Sequence, residues 1–440
     1  MNLQFIESEI QDQYTLADNN RPWVVGFSGG KDSTMLLNMV WRAVAKMPAE
    51  QRHRPIYVVC NDTMVENPHI VAAIETTLRK IEAAAPGAEM PVVVVRTKPS
   101  TEQGFWYLLI GKGYPAPSST FRWCTERLKI NPTTRFIQSK VSQAGAVIIL
   151  LGTREDESSK RKQSMRKHEV HGSRLRKHSL PGASVYAPIR DVTTDEVWQY
   201  LMAQQSNVPW GGSHRALITL YRNATTDAEC PLVVDTTTAS CGKSRFGCYT
   251  CTVVARDKSM EGLIENGQEW MQPLADLRDF LIEARDNPET YRDKRQRSGK
   301  VQEERWGPYL PATRADILRR LLVAQREIRA QHDPLAVFIT GPELLAIQHR
   351  WYLDGIYSPT VAEIQQQVGD ATDLPADKIT AKRAEEQALL REICADRPEY
   401  VGLINGAVDV LTKRRLQRTK RNVLDDIEAL LDGFVAKAHA

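Results

Sequence analysis

The sequence predicts an α/β domain built on a parallel sheet, followed by a mostly helical C-terminal region. Three observations predict it. Short apolar, largely β-branched runs alternate with helix-like stretches through the first half. A glycine turn follows the first of these runs. From about residue 260 onward, helical patterns dominate. Such alternation gives parallel strands joined by right-handed crossovers, with ligands bound beyond the carboxyl ends of the strands.

Strands are expected at 23–27, 56–60, 92–96 and 147–151, and helices near 34–46, 67–84 and 132–143. Residues 155–180 are polar and basic, lack apolar periodicity and read as a mobile loop over the site. Order restarts at 187–201, where Thr193 or Thr194 can cap a helix carrying Val197, Trp198 and Leu201. Residues 206–255 are loop-rich and hold four of the seven cysteines. Helical patterns cover 313–330 and 381–396, after a linker at 286–312 marked by Pro288, Gly307, Pro308 and Pro311. The expected division is 1–205 for the sheet domain, 206–285 for a cysteine-rich segment and 286–440 for a helical domain. There is no internal repeat.

The 440 residues are 42% hydrophobic and 25% charged, which is ordinary for a soluble protein. No window approaches eighteen uninterrupted apolar residues, so no membrane span is expected. The first twenty residues carry Glu7, Glu9, Asp12 and Asp18 and no apolar core, so no signal peptide is evident. A cytoplasmic location is the expectation, with reduced thiols whose clustering leans to metal binding or catalysis. The net charge is only +4, but it is unevenly spread. Residues 154–178 hold nine Lys/Arg against four Asp/Glu; 290–300 hold five against one; 412–421 hold six and no acid. Each run alone reads as a solvated face, and the three together make an anionic polymer a reasonable partner.

The most informative segment is Ser28-Gly29-Gly30-Lys31-Asp32-Ser33, set between an apolar run and a helix-like run. Paired glycines let backbone N–H groups approach an anion, and a helix N-terminus adds partial positive charge. Ser28 and Ser33 offer hydroxyls, Lys31 a point charge, and Asp32 a carboxylate for a metal or a water. The spacing is not that of the P-loop. A second constellation is Cys230, Cys241, Cys248 and Cys251, spaced C-x10-C-x6-C-x2-C. Thiolates in such sets hold iron–sulfur clusters or zinc. Structural zinc usually shows two Cys-x-x-Cys knuckles and here there is one, so a 4Fe–4S cluster fits better; zinc and buried small hydrophobes are the competing readings. Cys124 stands apart between Arg122 and Arg127, whose guanidiniums favour thiolate; a structural cysteine beside Trp123 competes. Cys60 and Cys394 read as core residues. His168, His171 and His178 show no ligand spacing.

Four separated segments carry a family resemblance. SGGKDS at 28–33 resembles the pyrophosphate loop of the PP-loop ATP pyrophosphatases, whose fold is adenine nucleotide alpha hydrolase-like. RWCTERLKINP at 122–132, GTREDESSKR at 152–161 and PIRDVTTDEVWQYL at 188–201 are similar to segments of phosphoadenylylsulfate (PAPS) reductase relatives, with Val192 where tryptophan is usual. The four-cysteine pattern resembles that of the DndC family, the sulfurtransferases of bacterial DNA phosphorothioation. Assimilatory PAPS reductases that bind a cluster carry an adjacent Cys-Cys pair and a C-terminal ECGLH-like cysteine, both absent here.

The resemblance implies ATP and Mg2+ at Ser28, Gly29, Gly30, Asp32 and Ser33, with Lys31 as a helper. Asn61, Asp62 and Thr63 are expected along the adenosine side, an Asx turn being the alternative for Asp62. Arg154 is expected on a phosphate, Glu157 on Mg2+ and Arg161 beside them; an ordinary ion pair competes. The implied reaction adenylates a DNA backbone phosphate with pyrophosphate release, and sulfur then displaces AMP. The implied partners are DNA, a cysteine desulfurase as sulfur donor and other DNA phosphorothioation subunits. Alternatives are an SspD-type single-strand phosphorothioation pyrophosphatase, a tRNA thiolase and a sulfonucleotide reductase.

Overall fold

The computed structural model describes residues 2–16, 20–157, 162, 163, 165, 167, 170, 173–222, 247–294, 305–376, 378–415 and 423–438. Six strands form one sheet: β1 (Trp23–Gly26), β2 (Ile56–Asn61), β3 (Val92–Thr97), β4 (Val147–Leu150), β5 (Leu175–Lys177) and β6 (Ala183–Tyr186). Their order is β3-β2-β1-β4-β6-β5. Neighbours run parallel except β5, which is antiparallel to β6.

β1 and β4 are buried at every position, as central strands covered on both faces must be. The pleat sends Trp23, Val25 and Phe27 to one face, where Ile56, Val58, Ile148 and Leu150 join them. Helices α1 (Leu3–Thr15), α2 (Lys31–Ala45) and α3 (Pro68–Gly87) add to that core, together with Ile189, Val197, Leu201 and Trp210. The opposite face gathers Val24, Val59, Val147, Ile149 and Val185 with Ile137 of α4 (Asn131–Ala144). The chain runs outward from β1 through β2 to β3, then returns to set β4 on the other side of β1. That reversal is a topological switch point, where open α/β sheets bind ligands.

The four expected strands are present within one residue at each end. Other expectations need correction. β5 lies inside the stretch read as a loop at 155–180, and β6 follows it. β5 reads Leu-Arg-Lys, an edge strand with one apolar residue, so it carries no alternation and is defined only by its ladder to β6. The loop-rich stretch contains a helix, Arg215–Arg222. The linker contains a helical turn, Pro288–Tyr291, and an antiparallel bridge between Arg292 and Tyr309. Residues 3–15, assigned no element from sequence, form α1, which buries Ile6, Ile10 and Tyr14. Thr193 caps α5 (Thr194–Ala203) in a reciprocal box with Glu196.

The described chain divides into two compact units, Met1–Phe105 with Pro117–Arg278 and Trp106–Ala116 with Asp279–Ala440. The first holds the sheet. In the second, a π-helical turn at Tyr107–Gly111 is tied to helices from the C-terminal half. The Trp351 indole donates to Ile110 O at 2.9 Å, and the Trp106 indole to Phe338 O at 2.8 Å. Buried Arg314 reaches Gly111 O at 3.1 Å and the Asp354 carboxylate at 2.7 Å. Among the described residues no helix is long and apolar enough to cross a membrane.

Candidate functional site

The first unit brings three loops to the carboxyl edge of its sheet. The loop after β1 turns at Gly29, whose φ of +70° suits glycine; a Cβ there would lie 2.4 Å from Ile74 Cγ1. Its polar groups are organised among themselves. The Ser28 and Ser33 hydroxyls are 3.0 Å apart, Ser28 N donates to Ser33 Oγ at 3.2 Å, and Gly30 N donates to Ser28 Oγ at 3.3 Å. Lys31 N, at the start of α2, donates to the Tyr221 hydroxyl at 3.2 Å. The result is a turn of N–H and O–H groups at a helix N-terminus, the arrangement that receives phosphate oxygens.

The loop after β4 backs this turn. Gly152 lies against the backbone of Asp32, where a Cβ would sit 2.9 Å from Asp32 C and O. Arg154 is only 1% exposed. Its Nε donates to Asp32 Oδ1 at 2.7 Å, its Nη1 to Val192 O at 3.0 Å and its Nη2 to Thr194 Oγ1 at 3.1 Å. Lys31 Nζ approaches the other Asp32 oxygen at 3.2 Å. Arg154 is therefore placed as a positioning group for Asp32 and for the cap of α5, not as a reaching phosphate ligand. Glu157 accepts the Arg154 backbone N–H at 2.8 Å. Asp32 has two cations against it, so a metal fits better on the phosphates of a bound nucleotide than on a bare Asp32. Arg161 lies outside the described residues.

The loop after β2 has a different character. The Asn61 amide donates to Leu128 O at 2.9 Å, and its oxygen accepts from Thr97 at 3.1 Å. Asp62 accepts from Met64 N at 2.8 Å, so the Asx turn is the arrangement present. Thr63 is fully buried, 3.6 Å from Cys248 Sγ. Of the three, Asn61 borders the cleft described below, and Asp62 and Thr63 do not.

Cys248 reaches this loop through backbone pairing. Glu66 and Cys248 form an isolated antiparallel bridge, and Tyr249 N donates to Val65 O at 3.0 Å. Cys251 N donates to Cys248 O at 2.9 Å, which closes the Cys-x-x-Cys turn. Arg278 Nε holds Cys251 O at 2.8 Å. Burial pushes the Glu66 carboxyl up to about 7, opposed by Lys129 and reinforced by Asp62. Burial also pushes the Cys248 thiol well above its usual range, with Lys129 opposing. Cys230 and Cys241 lie outside the described residues, and among the described residues no three potential ligands cluster.

Cys124, itself in helical conformation, directly precedes a π-helical turn, Thr125–Ile130, that carries Leu128 and Lys129 to the β2 end. Arg127 donates to Gln103 at 2.9 Å, and Trp123 stacks on Phe105. Cys124 is half-buried and forms no disulfide.

A cleft of about 330 Å³ runs from the Ser28–Gly30 turn, past Asn61 and Glu66, between α3 and the segment carrying Trp210, His214 and Tyr221. Sequence reasoning missed Glu66, His214 and Tyr221. The Glu66-Asn67-Pro68 step does carry a helix-start signal, with Asn67 accepting from His69 N. Nothing local marks His214 or Tyr221.

The family comparison agrees with this architecture. Residues 22–253, more than half of the chain, match the model of the phosphoadenosine phosphosulfate reductase domain. An uncharacterized protein of Methanocaldococcus jannaschii is 27% identical over 186 residues, 42% of this chain and about a third (32%) of that protein's length. The crystal structure of phosphoadenylyl-sulfate reductase from Candida auris, a phosphate complex, aligns at 12% identity with a TM-score of 0.29, over 48% of this chain and 87% of that one. With its matching domain, and with the Ser28–Ser33 turn at the switch point of a mostly parallel sheet, the chain belongs to the phosphoadenosine phosphosulfate reductase domain family, PP-loop enzymes of sulfonucleotide-related chemistry.

Proposed function

We propose that this chain is an ATP-dependent sulfurtransferase that adenylates a DNA backbone phosphate and replaces one of its oxygens with sulfur. The observation that carries the reading is the Ser28–Ser33 turn, with converging N–H and O–H groups backed by buried Lys31 and Arg154. A non-bridging oxygen of the acceptor attacks the α-phosphorus of ATP, and the bond to the β-phosphate breaks. Pyrophosphate leaves into the turn, where its oxygens take the place of Ser33 Oγ, Ser28 Oγ and the Tyr221 hydroxyl as acceptors of the backbone N–H groups. A sulfur nucleophile then attacks the activated phosphorus, and AMP departs with the oxygen. The acceptor needs this activation because phosphate oxygen leaves poorly and AMP leaves well.

Asp32 holds Lys31 at the turn and is itself held by Arg154. Cys124 is the candidate carrier of sulfur from a cysteine desulfurase, and other phosphorothioation subunits are the expected partners. Cys230, Cys241, Cys248 and Cys251 would hold a 4Fe–4S cluster. The Cys248–Cys251 turn suits two ligands of one site, and metal binding would remove the proton that burial holds on Cys248. Such a cluster, when bound, supplies electron-transfer or sulfur-handling chemistry. The basic runs at 154–178, 290–300 and 412–421 would contact the DNA backbone, a salt-sensitive and sequence-independent interaction.

Pyrophosphate release from ATP tests the reading. The Asp32→Asn protein is expected to lose on the order of 100-fold or more in turnover, the scale of removing one preorganised charge from a transition state. Unchanged turnover would remove the loop from the chemistry. The family match favours one second reading, reductive cleavage of a sulfonucleotide, and sulfite release from PAPS without pyrophosphate from ATP would select it.

A further inference from the structure

We infer that His214, in its neutral Nδ1–H tautomer, is a specificity-determining hydrogen-bond donor to the nucleoside of the bound nucleotide; this rests on the phosphate-turn reading above. Three observations carry it. First, the cleft that begins at the Ser28–Gly30 turn continues away from the phosphate position along Ile74, Trp210, His214 and Leu217. Its lining is more apolar than polar, with Thr76, Thr77, Lys80 and Ser213 among it, the make-up of a small-molecule site, and a nucleoside is the group joined to phosphates seated in the turn. Second, of Asn61, Asp62 and Thr63 after β2 only Asn61 borders the cleft, and its amide is already engaged. Asn61 is bound to Leu128 and Thr97, Asp62 to Met64, and Thr63 lies against Cys248. Third, the tautomer of His214 is set by its neighbour. Asn38 Nδ2 donates to Thr34 O at 2.9 Å, which identifies that atom as the amide nitrogen. The same atom lies 3.4 Å from His214 Nε2, so Nε2 accepts and Nδ1 carries the proton. Among the described residues no group accepts from Nδ1, and the ring borders the cleft.

The ring is also kept in that state. His214 is 5% exposed, and burial with the nearby Arg42 charge lowers its pKa to about 4, so the imidazole is neutral at physiological pH. A donor fixed against an apolar wall discriminates by leaving its partner unpaired when the wrong group is bound. The matching ligand atom is an acceptor on the base or ribose.

Binding of α,β-methylene-ATP and of inorganic pyrophosphate, measured side by side by calorimetry, tests the inference. His214→Phe keeps the aromatic contact with Trp210 and removes the donor. It is expected to weaken α,β-methylene-ATP about tenfold, the range of one neutral hydrogen bond, with pyrophosphate binding unchanged. His214→Gln restores a donor and is expected to recover most of the loss. A His214→Phe protein that binds the nucleotide as tightly as wild type overturns the inference, and so does one that loses both ligands equally. Wild-type protein that binds neither ligand overturns the phosphate-turn reading and this one with it.

Discussion

The loops after β1 and β2 end neighbouring parallel strands, yet they collect opposite chemistry. The β1 loop gathers N–H donors, two hydroxyls and two buried cations around one carboxylate. The β2 loop gathers Glu66 and Cys248, both pushed towards their protonated forms by burial. The difference is one of sequence range. Within residues 28–33 the β1 loop makes its own hydrogen bonds, and its strand-turn-helix frame is local. The β2 loop depends on a backbone bridge to a segment more than 180 residues away. An anion site can be built from a short turn because backbone N–H groups come with any helix start. A desolvated carboxylate beside a thiol needs a second chain segment to exclude water.

Three experiments bear on that contrast. The largest effect is expected for Arg154→Met. It leaves Asp32 without its 2.7 Å partner and Val192 O without a donor; the roughly 3–5 kcal/mol of a fully broken buried pair is the upper bound, because Lys31 still faces Asp32. Denaturant unfolding measures it, and a loss under about 1 kcal/mol would show that the β1 turn stands without its buried support.

A change of pH comes next. Burial and then the Arg42 charge lower the pKa of His214 in the folded chain to about 4 from its ordinary 6.5. As pH falls, the unfolded chain takes up this proton first. His214 therefore costs nothing at pH 8 and destabilises progressively from about pH 6.5 towards pH 4, by about 2 kcal/mol at pH 5. Wild type is expected to lose that much more than His214→Phe between pH 7.5 and pH 5. Parallel losses would mean that the wall of the cleft is open to water.

The smallest effect on nucleotide chemistry is expected for Cys248→Ser. Anaerobically purified wild type should carry about four irons per chain and the variant should lose them. Binding of pyrophosphate should stay within about twofold of wild type. A large loss of pyrophosphate binding would show that the two loops are one cooperative site.

Much of the sheet was legible because its central strands are short β-branched runs buried on both faces, and such runs stand out from flanking helices. The edge strand β5 was not, because an edge needs only a ladder and not an apolar pattern. Helix α1 was legible but not read: Ile6, Ile10 and Tyr14 recur at the four-residue spacing of one helix face. The glycine turn between β1 and α2 was legible in its position and its glycine geometry. The direction of Arg154 was not: its place after a strand suggested a phosphate ligand, and its burial made it a support for Asp32. The Asp62 turn was visible as an alternative and is the geometry present.

By itself the sequence determined that a Ser-Gly-Gly turn joins a buried strand to a helix, since glycine torsion and helix-end donors are properties of adjacent residues. Only the tertiary structure decided which side chains surround that turn. Tyr221 reaches Lys31 N across 190 positions, and His214 reaches Asn38 across 176. Local propensity carries no information about such contacts. They follow from the order of strands, which sets the β4 loop and helix Arg215–Arg222 beside the first turn, and from burial, which fixes the charge that each group can hold.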